Sequence, residues 1–149
     1  MKGSCYLIVP IVVSADLATK AWAEQLFGGV KTLVRGLLTL RLMHNPGFLL
    51  FSGQGSTPLW VWGLVSAALL PLLVLAWRSE SKKTMRHLGL ACMIGGALGN
   101  LAGRALYGYV VDFIELRGLP VMNLADAALL LGTLLVVIDL ARKQPPMRT

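Results

Sequence analysis

Apolar residues run almost unbroken through four stretches of the chain, and polar residues gather between them. SCYLIVPIVVSADLATKAWAEQLF (4–27), PLWVWGLVSAALLPLLVLAW (58–77), LGLACMIGGALGNLAGRALYG (88–108) and NLADAALLLGTLLVVIDLA (123–141) are each near the roughly 20 helical residues that cross a bilayer. Stretch 58–77 carries no charge and has Trp60, Trp62 and Trp77 placed as interfacial anchors. Stretch 88–108 is rich in small residues, which let helices approach closely. Lys2, the apolar run behind it and Val13-Ser14-Ala15 would suit a cleaved leader. The run continues past that point through Ala18, Ala21 and Trp22, however, and Asp16 and Lys20 fall one turn apart on one helical face, where they can pair. A retained first helix is therefore expected. Residues 28–57 change character, with Gly28, Gly29, Gly36, Gly47, Gly53 and Gly55 around an alternating TLRLMHN patch that reads as a short strand. The pattern predicts an all-α membrane protein of 149 residues in one integral membrane domain: four transmembrane helices, with a small β-like extracytoplasmic cradle between the first and second.

Composition agrees with that frame and removes alternatives. With 56% hydrophobic and 14% charged residues and a mean hydropathy of +0.69, the chain lies outside the range of ordinary soluble domains. The net charge of +7 raises nucleic acid as a partner, but Lys and Arg line no single face and no recognition motif accompanies them. They fit orientation in a membrane instead. Lys2, then Arg78, Lys82, Lys83 and Arg86, then Arg142, Lys143 and Arg148 fall on one side of the four-helix arrangement. The positive side faces the cytoplasm, so both termini are expected there, and Asp112 and Asp126 at the outer boundary. Cys5 and Cys92 lie inside apolar stretches without metal or redox spacing and read as small buried hydrophobes.

Charge inside such stretches needs a reason, because an Asp or Arg at the centre of a membrane helix costs about 2.5–3.5 kcal/mol on insertion scales. Asp16, Lys20, Asn100, Arg104, Asp112, Asn123 and Asp126 all fall at the expected outer end of the bundle. One reading is structural: ion pairs at helix ends, such as Asp16 with Lys20 or Arg104 with Asp112. The other is chemical. Two aspartates sharing a site hold one proton between them, so one can activate water while the other polarises a carbonyl and later protonates a leaving amine. The chain has no HExxH and no GxSxG, and His87 is expected in a cytoplasmic loop apart from His44. The asparagines favour the chemical reading, since they supply donors and acceptors suited to peptide groups. A turn at Arg117-Gly118-Leu119-Pro120 would let Asp112 and Asp126 meet.

These residues resemble the lipoprotein signal peptidase family, also called signal peptidase II, over nearly the whole chain. DLATK (16–20), NPG (45–47), GGALGNLAGR (95–104), VVDF (110–113) and NLAD (123–126) are similar, in order, to the family's motifs. The resemblance implies an aspartyl endopeptidase of the bacterial cytoplasmic membrane, cutting diacylglyceryl-modified prolipoproteins before the lipidated cysteine. It implies Asp112 and Asp126 as the catalytic pair, with Asp16, Lys20, Asn45, Gly47, Asn100, Arg104, Asn123 and Ala125 binding substrate or supporting the site. It also implies a monomer among membrane lipids, open to cyclic-peptide antibiotics as inhibitors, with no metal or other cofactor and no nucleic acid.

The chain departs from the family's pattern at several points. Gly103 stands where Asp usually precedes the Arg of the Gly-rich motif; Leu17, Leu50 and Met122 replace the usual Gln, Phe and aromatic residue. Arg104, without a carboxylate beside it, is expected to pair with Asp16 or to turn toward substrate. A paralogue that binds lipopeptides without cutting them, or that withstands an antibiotic, stays open, as does a small proton-coupled transporter. The transporter reading lacks the internal repeat and broken helices usual for that class.

Overall fold

Three helices and a three-stranded antiparallel sheet make up the described part of the computed structural model, which covers residues 5–26, 30–45 and 84–142. In chain order these are α1 (Ile8–Leu26), β1 (Val30–Val34), β2 (Leu38–Asn45), α2 (Thr84–Tyr107), β3 (Val110–Leu116) and α3 (Leu124–Ala141). The expected span 58–77, with its three tryptophans, lies outside the described residues, as do Gly47, Leu50 and Lys143–Thr149. Among the described residues one helix, α3, has the length and apolar composition of a membrane span. Its outward side is Leu130, Leu131, Leu134, Val137 and Leu140, all more than half exposed.

The small residues of α2 let both other helices come close. A Cβ at Gly89 would lie 2.7 Å from the Gly132 carbonyl oxygen, and one at Gly132 would lie 2.5 Å from that of Gly89. At Gly96 it would collide with the carbonyl oxygen of Ala125. Toward α1, a Cβ at Gly95 would stand 2.8 Å from Val12 Cβ and one at Gly99 2.7 Å from Asp16 Oδ2. Glycine therefore sets the helix spacing at both contacts, as the small-residue pattern predicts.

The sheet has the order β1-β2-β3. Gly36 turns β1 into β2 with a positive φ of 73°. Leu40, Val111 and Phe113 pack with Ala23 near the C-terminal end of α1, and Trp22 meets Phe113 edge to face at 6.4 Å. The third strand corrects the sequence-based expectation, which placed the β element only between the first two helices and only a turn at 117–120 between the last two. VVDFIEL shows no alternation because Val110, Val111, Asp112 and Phe113 are all buried, and a strand covered on both faces loses its period-two signature. An all-α description is thus replaced by helices with a small antiparallel sheet.

A second correction concerns His87. It lies in the first turns of α2, 3% exposed, with Nδ1 3.2 Å from the Tyr6 hydroxyl. The helix begins at Thr84 rather than near Leu88 because neighbouring helices satisfy its polar start. Arg86 Nε donates to Asp139 Oδ2 at 2.9 Å, and Asp139 is 2% exposed on α3. Among the described residues neither Cys5 nor Cys92 forms a disulfide.

The glycine contacts make a direct test. Gly96→Leu forces α3 away from α2, and overpacking of this kind costs about 1–3 kcal/mol. A clear drop in the thermal unfolding midpoint in detergent is expected, whereas Leu130→Ala on the outward side of α3 leaves the midpoint nearly unchanged. An unaltered midpoint in Gly96→Leu would show that this contact does not set the helix spacing.

Candidate active site

Backbone pairing, not helix geometry, brings the two aspartates together. β3 carries Asp112, Gly118 turns the chain with a φ of 81°, and the returning segment pairs back on the strand. Ile114 N–H donates to the Met122 carbonyl at 2.8 Å and Met122 N–H to that of Ile114 at 2.9 Å. The next residue, Asn123, caps α3. Its side-chain oxygen accepts from Asp126 N–H at 3.0 Å, and its own N–H donates to Asp126 Oδ2 at 3.2 Å, forming a capping box. The same side chain donates through Nδ2 to Asp112 Oδ1 at 2.7 Å. Asp112, eleven residues before Asn123, and Asp126, three residues after it, are thus joined through one asparagine.

Asparagine amides complete the surroundings. Asn45, the last residue of β2, donates to Asp112 Oδ2 at 3.1 Å. That contact depends on an irregularity: between Leu40 and Met43 the β2–β3 register shifts by one residue, so that Asn45 stands opposite Val110 and diagonal to Asp112. Without the extra residue, strand alternation would turn His44 rather than Asn45 to that face. From α2, Asn100 Nδ2 donates to Asp126 Oδ1 at 2.8 Å. The orientation of that amide is set on its other side, because Asn100 Oδ1 accepts from Lys20 Nζ at 2.9 Å and from Asn123 Nδ2 at 3.0 Å.

Asp16 and Lys20 form the expected pair, 2.6 Å apart and almost fully buried. Asp16 also reaches α3, where its Oδ1 accepts from Ala125 N–H at 2.9 Å, so it steadies the first turn that carries Asp126. Asp16 thereby takes Lys20 and Ala125 as its partners, not the Arg104 that the sequence offered. Arg104 Nη1 donates to the Asn100 carbonyl at 3.4 Å, and the guanidinium is coupled electrostatically to Asp112 and Asp126. Of the ten site residues expected from sequence, the described structure gathers nine; Gly47 lies outside it.

Exposure distinguishes the two carboxylates. Asp112 is 3% exposed, while Asp126 is only part-buried. Burial pushes the Asp112 carboxyl up to about 6; the Asn45 amide opposes the rise and the charge of Asp126 adds to it. Asp126 sits in the first turn of α3, where it accepts from the Asn100 amide and from the Asn123 N–H. The two carboxylates thus stand in unlike surroundings, one buried and one partly open to solvent.

Sequence reasoning missed a polar group next to this site. Glu24 Oε1 lies 2.7 Å from His44 Nε2 and accepts from the Tyr109 hydroxyl at 3.4 Å. The spacing Asp16, Lys20, Glu24 along one ridge of α1 was the available signal. Asp139, also missed, sat unremarked in an apolar run.

Comparison with known proteins points in one direction. Residues 8–142 match the family described as Signal peptidase (SPase) II. The lipoprotein signal peptidase of Syntrophomonas wolfei is 38% identical over 133 residues, covering 86% of each chain. That of Dichelobacter nodosus is 32% identical over 143 residues, covering 92% of this chain and 93% of its own. A bacterial membrane enzyme solved by the in meso method at 1.9 Å superposes with a TM-score of 0.83 at 25% identity, over 95% of both chains. The chain belongs to the signal peptidase II family of peptidases.

Proposed function

We propose that this chain is an aspartyl endopeptidase that removes the signal peptide from diacylglyceryl-modified prolipoproteins, cutting before the lipidated cysteine. The relatives bear the name lipoprotein signal peptidase, and the observation that carries the mechanism is the single asparagine hydrogen-bonded to both Asp112 and Asp126. In this reading Asp112 holds the shared proton and donates it to the scissile carbonyl oxygen, while Asp126 takes a proton from the attacking water. The tetrahedral intermediate then collapses as a proton passes to the leaving nitrogen, giving a free carboxyl and a free amine. Asn45 and Arg104 meet the substrate backbone in this reading; Asn100, Asn123, Asp16, Lys20 and Ala125 hold the pair in place.

The same reading sets the protein in the bacterial cytoplasmic membrane with four spans, both termini in the cytoplasm and the site at the outer boundary. A substrate tethered by acyl chains arrives in the bilayer plane. The exposed apolar side of α3 supports a place in the membrane, and the excess of Lys and Arg in the sequence on one side of the expected spans supports the orientation.

Cleavage of a diacylglyceryl-modified prolipoprotein peptide by the purified protein is the deciding measurement. Asp112→Asn and Asp126→Asn are each expected to lower the rate by about 10²–10⁴-fold, the usual contribution of a positioned acid or base. Retained cleavage in either variant would remove the paired mechanism, and tight lipopeptide binding by an inactive wild type would favour the non-cutting paralogue.

The pH profile follows from the raised carboxyl. A pair that needs one proton loses activity as pH rises past the point where Asp112 gives it up, so kcat/KM is expected to fall above about pH 6. The Asn45 amide favours the Asp112 carboxylate, so Asn45→Ala is expected to move that limb to higher pH. A limb that stays in place or moves down would count against Asp112 as the proton holder.

Gly103 offers a third measurement. A Cβ there would stand 3.6 Å from the Tyr109 carbonyl oxygen and 3.8 Å from Lys20 Nζ, both ordinary contacts, so a carboxylate fits beside the lysine. Gly103→Asp is expected to raise turnover several-fold; a lower rate would mean that the Lys20 hydrogen bonds have settled around glycine.

A further inference from the structure

The Glu24, His44 and Tyr109 group lies outside the buried network but is joined to it through the backbone. His44 precedes Asn45 and stands opposite Val111, the residue before Asp112. Its ring lies 4.5 Å from that of Tyr109, centroid to centroid. Glu24 projects from α1 one turn beyond Lys20 and takes both His44 and Tyr109 on the same oxygen. One helix thus holds the final residues of β2 and the residue that leads into β3. Asn45 ends its strand, and strand ends are where pairing opens first.

We propose that the Glu24–His44 contact, braced by Tyr109, is a clasp that keeps Asn45 against Asp112, which makes Glu24 and His44 positioning residues for the reaction. The proposal rests on the reading of Asp112 and Asp126 as the reacting pair. Both partners are substantially exposed, with side chains 47% and 34% accessible, and exposed ion pairs add little to global stability. The clasp therefore acts on local geometry, and loosening it leaves the fold intact. The ionisable groups around it and around Asp112 are Glu24 and Lys20 of α1, Arg104 and Tyr107 of α2, Tyr109, and Asp126 of α3.

Two readouts on the full chain in detergent test this, using Glu24→Gln and His44→Gln. Amide hydrogen exchange over residues 43–45 is expected to quicken by up to about fivefold, the range of an exposed pair, with the thermal midpoint nearly unchanged. The alkaline limb of kcat/KM is expected to shift upward, as in Asn45→Ala, and to shift no further when His44→Gln is added to Asn45→Ala. His44→Arg, which keeps a hydrogen-bond donor opposite Glu24, is expected to restore most of the limb position. Unchanged exchange in both variants, or a limb shift that adds fully to that of Asn45→Ala, would overturn the clasp. The two readings fail separately: a wild type that cuts peptide while exchange is unaffected removes the clasp alone, and a wild type that does not cut while exchange quickens removes the paired mechanism alone.

Discussion

One side chain, that of Asn123, carries the constraint on which the rest of the site depends. Its oxygen caps α3 by accepting from Asp126 N–H, and its amide donates to both Asp112 and Asn100. Asn123 is fully buried, and a buried amide that lost these partners would pay the full desolvation cost of each polar atom. Start of helix, end of strand and facing carboxylates therefore adjust to one another. No leucine or serine can meet these demands together, because one side chain here must accept and donate in fixed directions.

Around that residue the fold solves a solvation problem. Asp16, Lys20, Asn100 and Asp112 are each less than a tenth exposed. Removing one partner from such a group leaves an uncompensated buried charge, which costs several kcal/mol. The helices are close enough to supply the missing partners because glycines line α2: Asp16 fits only against Gly99, and Ala125 only against Gly96. Apolar packing and polar chemistry are thus linked, since the close approach that packs the helices also brings Asp16 to the Ala125 N–H. At the other end of the helices the Arg86–Asp139 pair and the Tyr6–His87 contact repeat the principle without an open carboxylate beside them.

The proposed reacting pair gains its asymmetry from the same architecture. Asp112 belongs to a strand covered on both faces, and Asp126 to the first turn of a helix with its dipole behind it. Like groups in unlike surroundings are what divide the roles of proton holder and water activator. The sheet matters here as much as the helices, because it delivers Asp112 and, through one irregular residue in β2, Asn45 to the same place.

Much of this was legible in the chain itself. The apolar runs announced α1, α2 and α3, the i to i+4 spacing announced the Asp16–Lys20 pair, and the alternation in TLRLMHN announced β2, since each of these signals is local and set by helix or strand periodicity. Motif order in the sequence also pointed to residues that the fold brings together around Asn123. Tertiary structure decided the rest. β3 was hidden because burial on both faces erases alternation; the helical start at Thr84 was hidden because Arg86 and His87 find their partners on other helices, far away in sequence. The same reason applies to Arg104, Glu24 and His44: charge in a sequence shows that a partner is needed, but which partner is chosen depends on distances that exist only once the helices and the sheet have packed.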